Sequence, residues 1–189
     1  YLFLNNREIN SVEKLKGRKI AVLAHDLVQL RMAERLGFQA LAADIDDFAA
    51  KFNKAEADII AAPAIAYMPL ELFKGVGNTG LVLNMPIAHL SLQVVAHFHK
   101  FSADFGQKSR SYFAGMFDSL QKPITKAEEE IVYFLPAPDG EYENYQGLLR
   151  EARLSMTEEG IYDKKMIALL KKVRCKDNPK RNECSDNKE

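Results

Sequence analysis

The spacing of apolar and polar positions changes character once along this chain. Up to about residue 83, short unbroken apolar runs alternate with stretches of helical spacing. Ile20–Ala24 is apolar throughout and follows the charged Gly17-Arg18-Lys19, the form of a strand buried on both faces. Asp26 then stands where an N-cap belongs. Leu27, Leu30, Ala33 and Leu36 supply an apolar face, with Arg31, Glu34 and Arg35 between them, and Gly37 ends the helix. Phe38–Ala42 predicts a second strand, and Asp46 is the expected cap of a helix carrying Phe48, Ala49 and Phe52. Asp58–Ala61 predicts a third strand, stopped by Pro63. Ala64–Lys74 predicts a helix interrupted at Pro69 and closed by Gly75 and Gly77, and Leu81–Leu83 a fourth strand. This alternation calls for a parallel sheet with helices on both faces.

The pattern then shifts. Ala88–Phe98 has rough period-two alternation and predicts a longer strand. From Asp104 onward the spacing is helical, with helices expected over 104–119, 124–135, 141–158 and 161–174, broken at Lys122-Pro123 and at Pro136–Gly140. The expected organisation is an α/β lobe over 1–98, C-terminal helices over 99–174 and a polar tail over 175–189, mobile outside any bridge.

Composition narrows the class. Of 189 residues, 47% are hydrophobic and 28% charged, which is globular rather than disordered. Lysine plus arginine and aspartate plus glutamate both total 26, so nothing in the charge calls for nucleic acid or an anionic membrane surface as the main partner. No apolar run approaches the roughly 20 residues of a helical membrane span. Cys175 and Cys184 flank the turn-forming Asp177-Asn178-Pro179 with no other cysteine to compete. A disulfide is favoured over two free thiols, and it implies an oxidising compartment such as the periplasm.

Candidate chemistry is sparse. His97-Phe98-His99 puts two rings on one face of a strand, but a metal site needs a third ligand that the sequence does not place there. Glu128-Glu129-Glu130 fits a solvated helix face. Nucleophile elbows, HExxH helices, P-loops and GxGxxG turns are missing, so no enzyme, metal or cofactor is expected. What remains is the rule that open parallel sheets bind ligands beyond the carboxyl ends of their strands. There the sequence offers His25, Asp44, Tyr67 and Asn84 as ligand contacts, while Asp26 and Asp46 are better explained as caps.

Leu15-Lys16-Gly17-Arg18-Lys19-Ile20 resembles the LKGxKIR segment that opens the second lobe of DctP-type solute-binding proteins of TRAP transporters. The likeness continues through Leu36-Gly37, Asp47, Asp58 and Pro63, and covers roughly residues 12–120. It implies a type II periplasmic-binding-protein-like fold, a small-molecule ligand, a membrane transporter as partner and no catalysis. The 88–98 strand and following helices then resemble that family's return to its first lobe. Two anchors differ. Ala21 stands where the family's carboxylate-binding Arg falls, and Ala62 where the Asn of its QENP segment falls, so the usual bidentate recognition is not carried over. An apolar or cationic ligand fits the altered edge better. Only about fourteen residues precede the LKG segment, which leads us to expect a shortened chain or assembly with another copy. The tail cysteines and altered anchors also resemble a divergent AdeT-type subgroup linked with RND efflux and aminoglycoside resistance. The alternative that this likeness raises is an accessory module of an envelope or efflux system that has lost solute binding.

Overall fold

The computed structural model describes residues 1–90 and 93–188. In chain order it runs β1 (Leu2–Leu4), α1 (Val12–Leu15), β2 (Lys19–Leu23), α2 (Leu27–Arg35), β3 (Gln39–Ala43), α3 (Phe48–Asn53), β4 (Ile59–Ala61), a 3-10 turn (Ala64–Ala66), α4 (Leu72–Val76) and β5 (Leu81–Leu83). A second 3-10 turn (Phe98–Lys100) leads to α5 (Phe105–Gly115), α6 (Phe117–Glu129), β6 (Phe134–Leu135), α7 (Glu141–Glu158), α8 (Lys164–Asp177) and a last 3-10 turn (Asn182–Ser185).

Six strands form one sheet in the order β3-β2-β4-β1-β5-β6. β2 is parallel to β3 and β4, and β5 to β6, while β1 runs antiparallel to both β4 and β5. Five strands therefore share a direction and β1 alone opposes them, giving the mostly parallel, helix-flanked sheet of a periplasmic-binding-protein-like fold. Strand periodicity sorts the core onto two faces. Leu2, Leu4, Ile20, Val22, Ile59, Leu81 and Leu83 face Leu15, Ala33, Leu36, Tyr145 and Ala152 of α1, α2 and α7. Phe3, Ala21, Ala43, Ile60 and Val82 face Phe48, Phe52, Leu72 and Val76 of α3 and α4, and Ala127 of α6.

Several expectations need correction. The cap of α3 is Asp47, not Asp46, because Asp47 and Phe48 both donate backbone N–H groups to the Asp44 carbonyl and close the turn one residue later. Leu27 is exposed: at the first position of α2 it projects beyond the sheet, and Ala33 and Leu36 carry the buried face. The 64–74 helix splits into a 3-10 turn and α4, separated by a left-handed Glu71 with φ 53°. No break occurs at Lys122-Pro123. α6 runs through Pro123, whose missing N–H leaves the carbonyl of exposed Ser119 to water. The expected helix over 124–135 ends at Glu129, and left-handed Tyr133 (φ 60°) turns the chain so that Phe134–Leu135 pairs with β5.

The long strand over 88–98 does not form among the described residues. Residues 93–97 carry no strand pairing, and a 3-10 turn begins at Phe98; residues 91 and 92 lie outside the described set. A strand needs a neighbour, and the free side of β5, the preceding strand, is taken by β6.

The tail is bridged as expected. Cys175 and Cys184 form a disulfide with their Cα atoms 5.7 Å apart. It is also held by charge. Glu183 is buried and accepts from Arg174 Nε at 2.8 Å and Arg153 Nη2 at 3.1 Å, while Arg150 pairs with Asp186 at 2.6 Å. Burial alone would push the Glu183 carboxyl up. The Arg174 hydrogen bond, with the charges of Arg174, Arg153 and Arg181, outweighs burial and holds it below the ordinary carboxylate range. A depressed carboxyl stabilises the fold above its unfolded titration, and this contribution is lost as pH falls through the folded one. Glu183→Gln is therefore expected to cost about 1–3 kcal/mol at pH 7, with parent and variant converging in acid. Urea unfolding at pH 7 and pH 3 checks this; an equal gap at both would show that the charge contributes nothing.

Candidate functional site

Five strands end on one edge of the sheet, at Leu23, Ala43, Ala61, Leu83 and Leu135, and β1 begins there beside Tyr1. This is the carboxyl edge at which open α/β sheets take ligands. The Tyr1 amino group donates to the Ala62 carbonyl at 2.9 Å, and Ala62 N–H donates to the Tyr1 carbonyl at 3.1 Å, carrying the β1–β4 ladder out to the edge.

The turn after β2 consumes most of its own polar groups. Asp26 accepts from Gln29 N–H at 2.9 Å, and the Gln29 side chain accepts from Leu23 N–H at 2.8 Å. That places a helix side chain over the end of the strand and satisfies a donor that a ligand would otherwise meet. His25 remains exposed. Asp44, after the adjacent β3, is exposed as well, followed by exposed Asp46 and Asp47. His25 and Asp44 thus stand on neighbouring strand ends. Asn84 is exposed but follows β5, three strands from β2, or about 14 Å across the sheet.

Tyr67 lies inside. It is 3% exposed, stacked on Phe3 with ring centroids 6.1 Å apart and edge-on to Phe73. Ala21 and Ala62 are also buried, in the same apolar cluster as Tyr67. The structure therefore brings together His25 and Asp44, sets Asn84 apart, and takes Tyr67 and both alanines into the core.

Two edge residues differ from the sequence reading, one passed over there and the other expected on a solvated helix face. Gln29 is one. The other is Glu128, which accepts from the Tyr1 hydroxyl at 2.5 Å and ties α6 to the edge. Burial, with the hydrogen bond and charge of Glu128, pushes the Tyr1 phenol up to about 12. The phasing of α6 held the signal: Glu128 follows buried Ala127, whereas Glu129 and Glu130 are exposed. His97 and His99 lie away from any strand with ring centroids 5.7 Å apart, and no group of three or more metal-ligating side chains occurs among the described residues.

A recess of about 280 Å³ opens elsewhere, between α7 and α8, lined by Leu154, Thr157, Glu158, Lys164, Ile167 and Lys188. It sets Leu154 and Ile167 among side chains of both signs of charge. The carboxyl edge has the topology on its side.

Comparison with known proteins decides the family. Residues 1–189 match, end to end, the family described as Solute-binding protein AdeT 1/2. The chain belongs to it. This AdeT-family chain is 41% identical over 191 residues to the "Probable solute-binding protein AdeT1" of Acinetobacter baumannii, a match covering 100% of this chain and 63% of that protein. It is 26% identical over 185 residues to the "Probable solute-binding protein AdeT2" of the same organism, covering 97% of this chain and 78% of that protein. The chain thus spans a little under two thirds of the first of these AdeT relatives. No solved structure matches. No helix among the described residues is long and apolar enough to cross a membrane.

Proposed function

We propose that the chain is the ligand-reading lobe of a periplasmic, non-enzymatic solute receptor related to TRAP-type binding proteins, with a ligand other than the usual carboxylate. The observation that carries this reading is the family match over the whole chain. The TRAP relation draws support from how the resembling segments sit. Gly17 of the LKG segment and Gly37 are both left-handed, and Gly17 N–H donates to the Gly37 carbonyl at 2.7 Å, so the two turns lock together at the amino end of β2. The disulfide supports an oxidising compartment.

Ligand chemistry follows from what the edge presents. With alanine at 21 and 62, both buried, no guanidinium occupies the position from which the family's arginine would pair with a carboxylate. The exposed groups after β2 and β3 are His25, Asp44, Asp46 and Asp47, which suit a cationic ligand with apolar parts. Aminoglycosides, to which the AdeT likeness points, are polycations and would meet the acidic groups of the edge through their ammonium groups.

The test is a thermal-shift screen across organic acids, aminoglycosides and apolar metabolites. A ligand at a hundredfold excess over its Kd stabilises by about 2.7 kcal/mol. For a chain of this size that is a rise of roughly 5–10 °C in Tm. A cationic hit should weaken in Asp44→Asn. No shift with any class would overturn the receptor reading, and a shift with carboxylates alone would overturn the reading of its ligand.

A further inference from the structure

α8 carries its apolar stripe on the outside. Met166, Leu169, Leu170 and Val173 follow i, i+3, i+4, i+7 spacing, so they lie side by side as one face of the helix. All four are between 44% and 59% exposed, while Ile167 is the residue that α8 buries. The tail holds the helix in this orientation. On its inner side Arg174 pairs with buried Glu183, Lys171 donates to the Asp186 carbonyl, and Cys175 is bridged to Cys184. The helix cannot roll to bury its stripe without breaking these contacts.

Charge is gathered on the same helix. The whole chain balances its charges, yet Lys164, Lys165, Lys171, Lys172, Arg174 and Lys176 fall within 164–176 with no acid among them. Lys165, Lys172 and Lys176 are exposed, share one flank of the apolar stripe at helical spacing, and take part in no ion pair among the described residues. The nearest acids, Asp163 and Asp177, stand at the two ends, and Asp163 accepts from Met166 N–H at 2.8 Å as the N-cap.

We infer that the outer face of α8 docks on an anionic lipid surface, with the stripe at the acyl boundary and the lysine row among the headgroups. A basic, apolar-faced helix of this kind lies in the interface plane and does not span it. The charge selects the occupant. A second copy would bring the same lysines and, away from the helix ends, no acid to meet them, so a two-fold pairing on this face is repelled. Partners recognised through paired carboxylates suit the guanidinium fork, and here Arg174 is turned inward to the chain's own Glu183. The outward cations are all lysines, hydrated point charges that match a diffuse negative surface, with stems that can lie along apolar groups. Each lysine near such a surface contributes about fivefold in partitioning. This inference does not depend on the identity of the ligand.

The experiment is co-sedimentation of the full chain with vesicles of phosphatidylcholine, alone or with about 30% phosphatidylglycerol. Binding to the anionic vesicles should exceed binding to phosphatidylcholine at least about tenfold at roughly 50 mM salt and be largely lost at roughly 500 mM. Lys165→Glu with Lys172→Glu should lower the partition coefficient at least about tenfold. Leu169→Ser with Val173→Ser keeps every charge and should also lower it about tenfold, which adsorption by charge alone would not show. Lys14→Glu with Lys16→Glu, exposed on the far side of the chain order at α1, should bind as the parent does. All variants are at exposed positions and should keep the parent's far-ultraviolet spectrum. A chain that pellets with neither vesicle, equal binding with and without phosphatidylglycerol, or binding that neither α8 variant weakens would overturn the proposal. So would a doubled mass in sedimentation velocity that Leu169→Ser with Val173→Ser abolishes, which would give the face to a second copy. A longer AdeT-family chain that carries the same face but binds neither vesicle would likewise overturn it, assigning the face to a segment outside these residues.

Discussion

Replacing Ala21 with arginine is expected to unfold the lobe rather than to build a carboxylate site. Ala21 sits in the middle of β2, paired with Leu41 on β3 and Ile60 on β4, and has no exposed surface. Its side of the sheet is packed with Phe3, Phe52 and Ile60. A guanidinium there would be buried among hydrocarbon with no carboxylate in the cluster to meet it. Leaving a charge unpaired in such a place costs about 3–5 kcal/mol, before any strain from the added volume. That is a large share of the whole stability of a domain. Urea unfolding should show the midpoint falling steeply or the native baseline lost. An arginine variant as stable as its parent that also binds a small dicarboxylate would show instead that position 21 opens onto the edge. Position 21 is therefore closed by packing, which leaves no room there for an arginine side chain or a ligand.

An alanine at Gly80 should be comparably damaging, for a steric reason. A Cβ at this position would lie 2.1 Å from the Leu4 carbonyl oxygen and 2.5 Å from that of Val76. Both are backbone atoms, one in β1 and one at the end of α4, so neither can turn aside. Either β1 shifts off β5 or α4 lifts from the sheet, and we expect a loss of roughly 3 kcal/mol or more. Gly115, the last residue of α5, has nothing within 4 Å of its would-be Cβ. Gly115→Ala should be neutral or mildly stabilising by up to about 1 kcal/mol. Parallel thermal melts of the two variants check the contrast, and equal effects would mean that the crowding at Gly80 is relieved by easy movement.

How much of this was legible beforehand follows from where each element gets its stability. β2 and α2 were readable because their signals are local: an apolar run, a capping Asp26 that does accept from Gln29, and a glycine at the stop. β1 and β6 were not, since three and two residues are too short for any period to show, and both exist only through distant partners. The 88–98 segment failed in the opposite direction. Its alternation is real, but alternation states what a strand would look like and not whether a neighbour is available. The edge was legible as a place, because strand ends follow from strand order, and His25 and Asp44 stand where that order puts them. Tyr67 follows its strand as expected, yet the ring governs its placement, packed inward against Phe3. The buried Glu183 was hidden because its arginines come from two helices and its own loop, which no short window spans.

The reversed central strand has a consequence for how the molecule is assembled. β3, β2 and β4 are joined to β5 and β6 only through Leu2-Phe3-Leu4. The β2–β3–β4 half is drawn from residues 19–61, whereas β5 and β6 come from segments well separated in sequence, and this three-residue strand has the longest-range partner of all in β5. Contacts of such long range are the ones that slow folding. The pairing of Leu2–Leu4 with β5, the longest in range, is thus expected last, and until it forms the two halves share no hydrogen-bonded seam among the described residues. An extended apolar segment from another molecule that reached the slot first would jam it, which makes slow, concentration-sensitive refolding the kinetic signature of this topology.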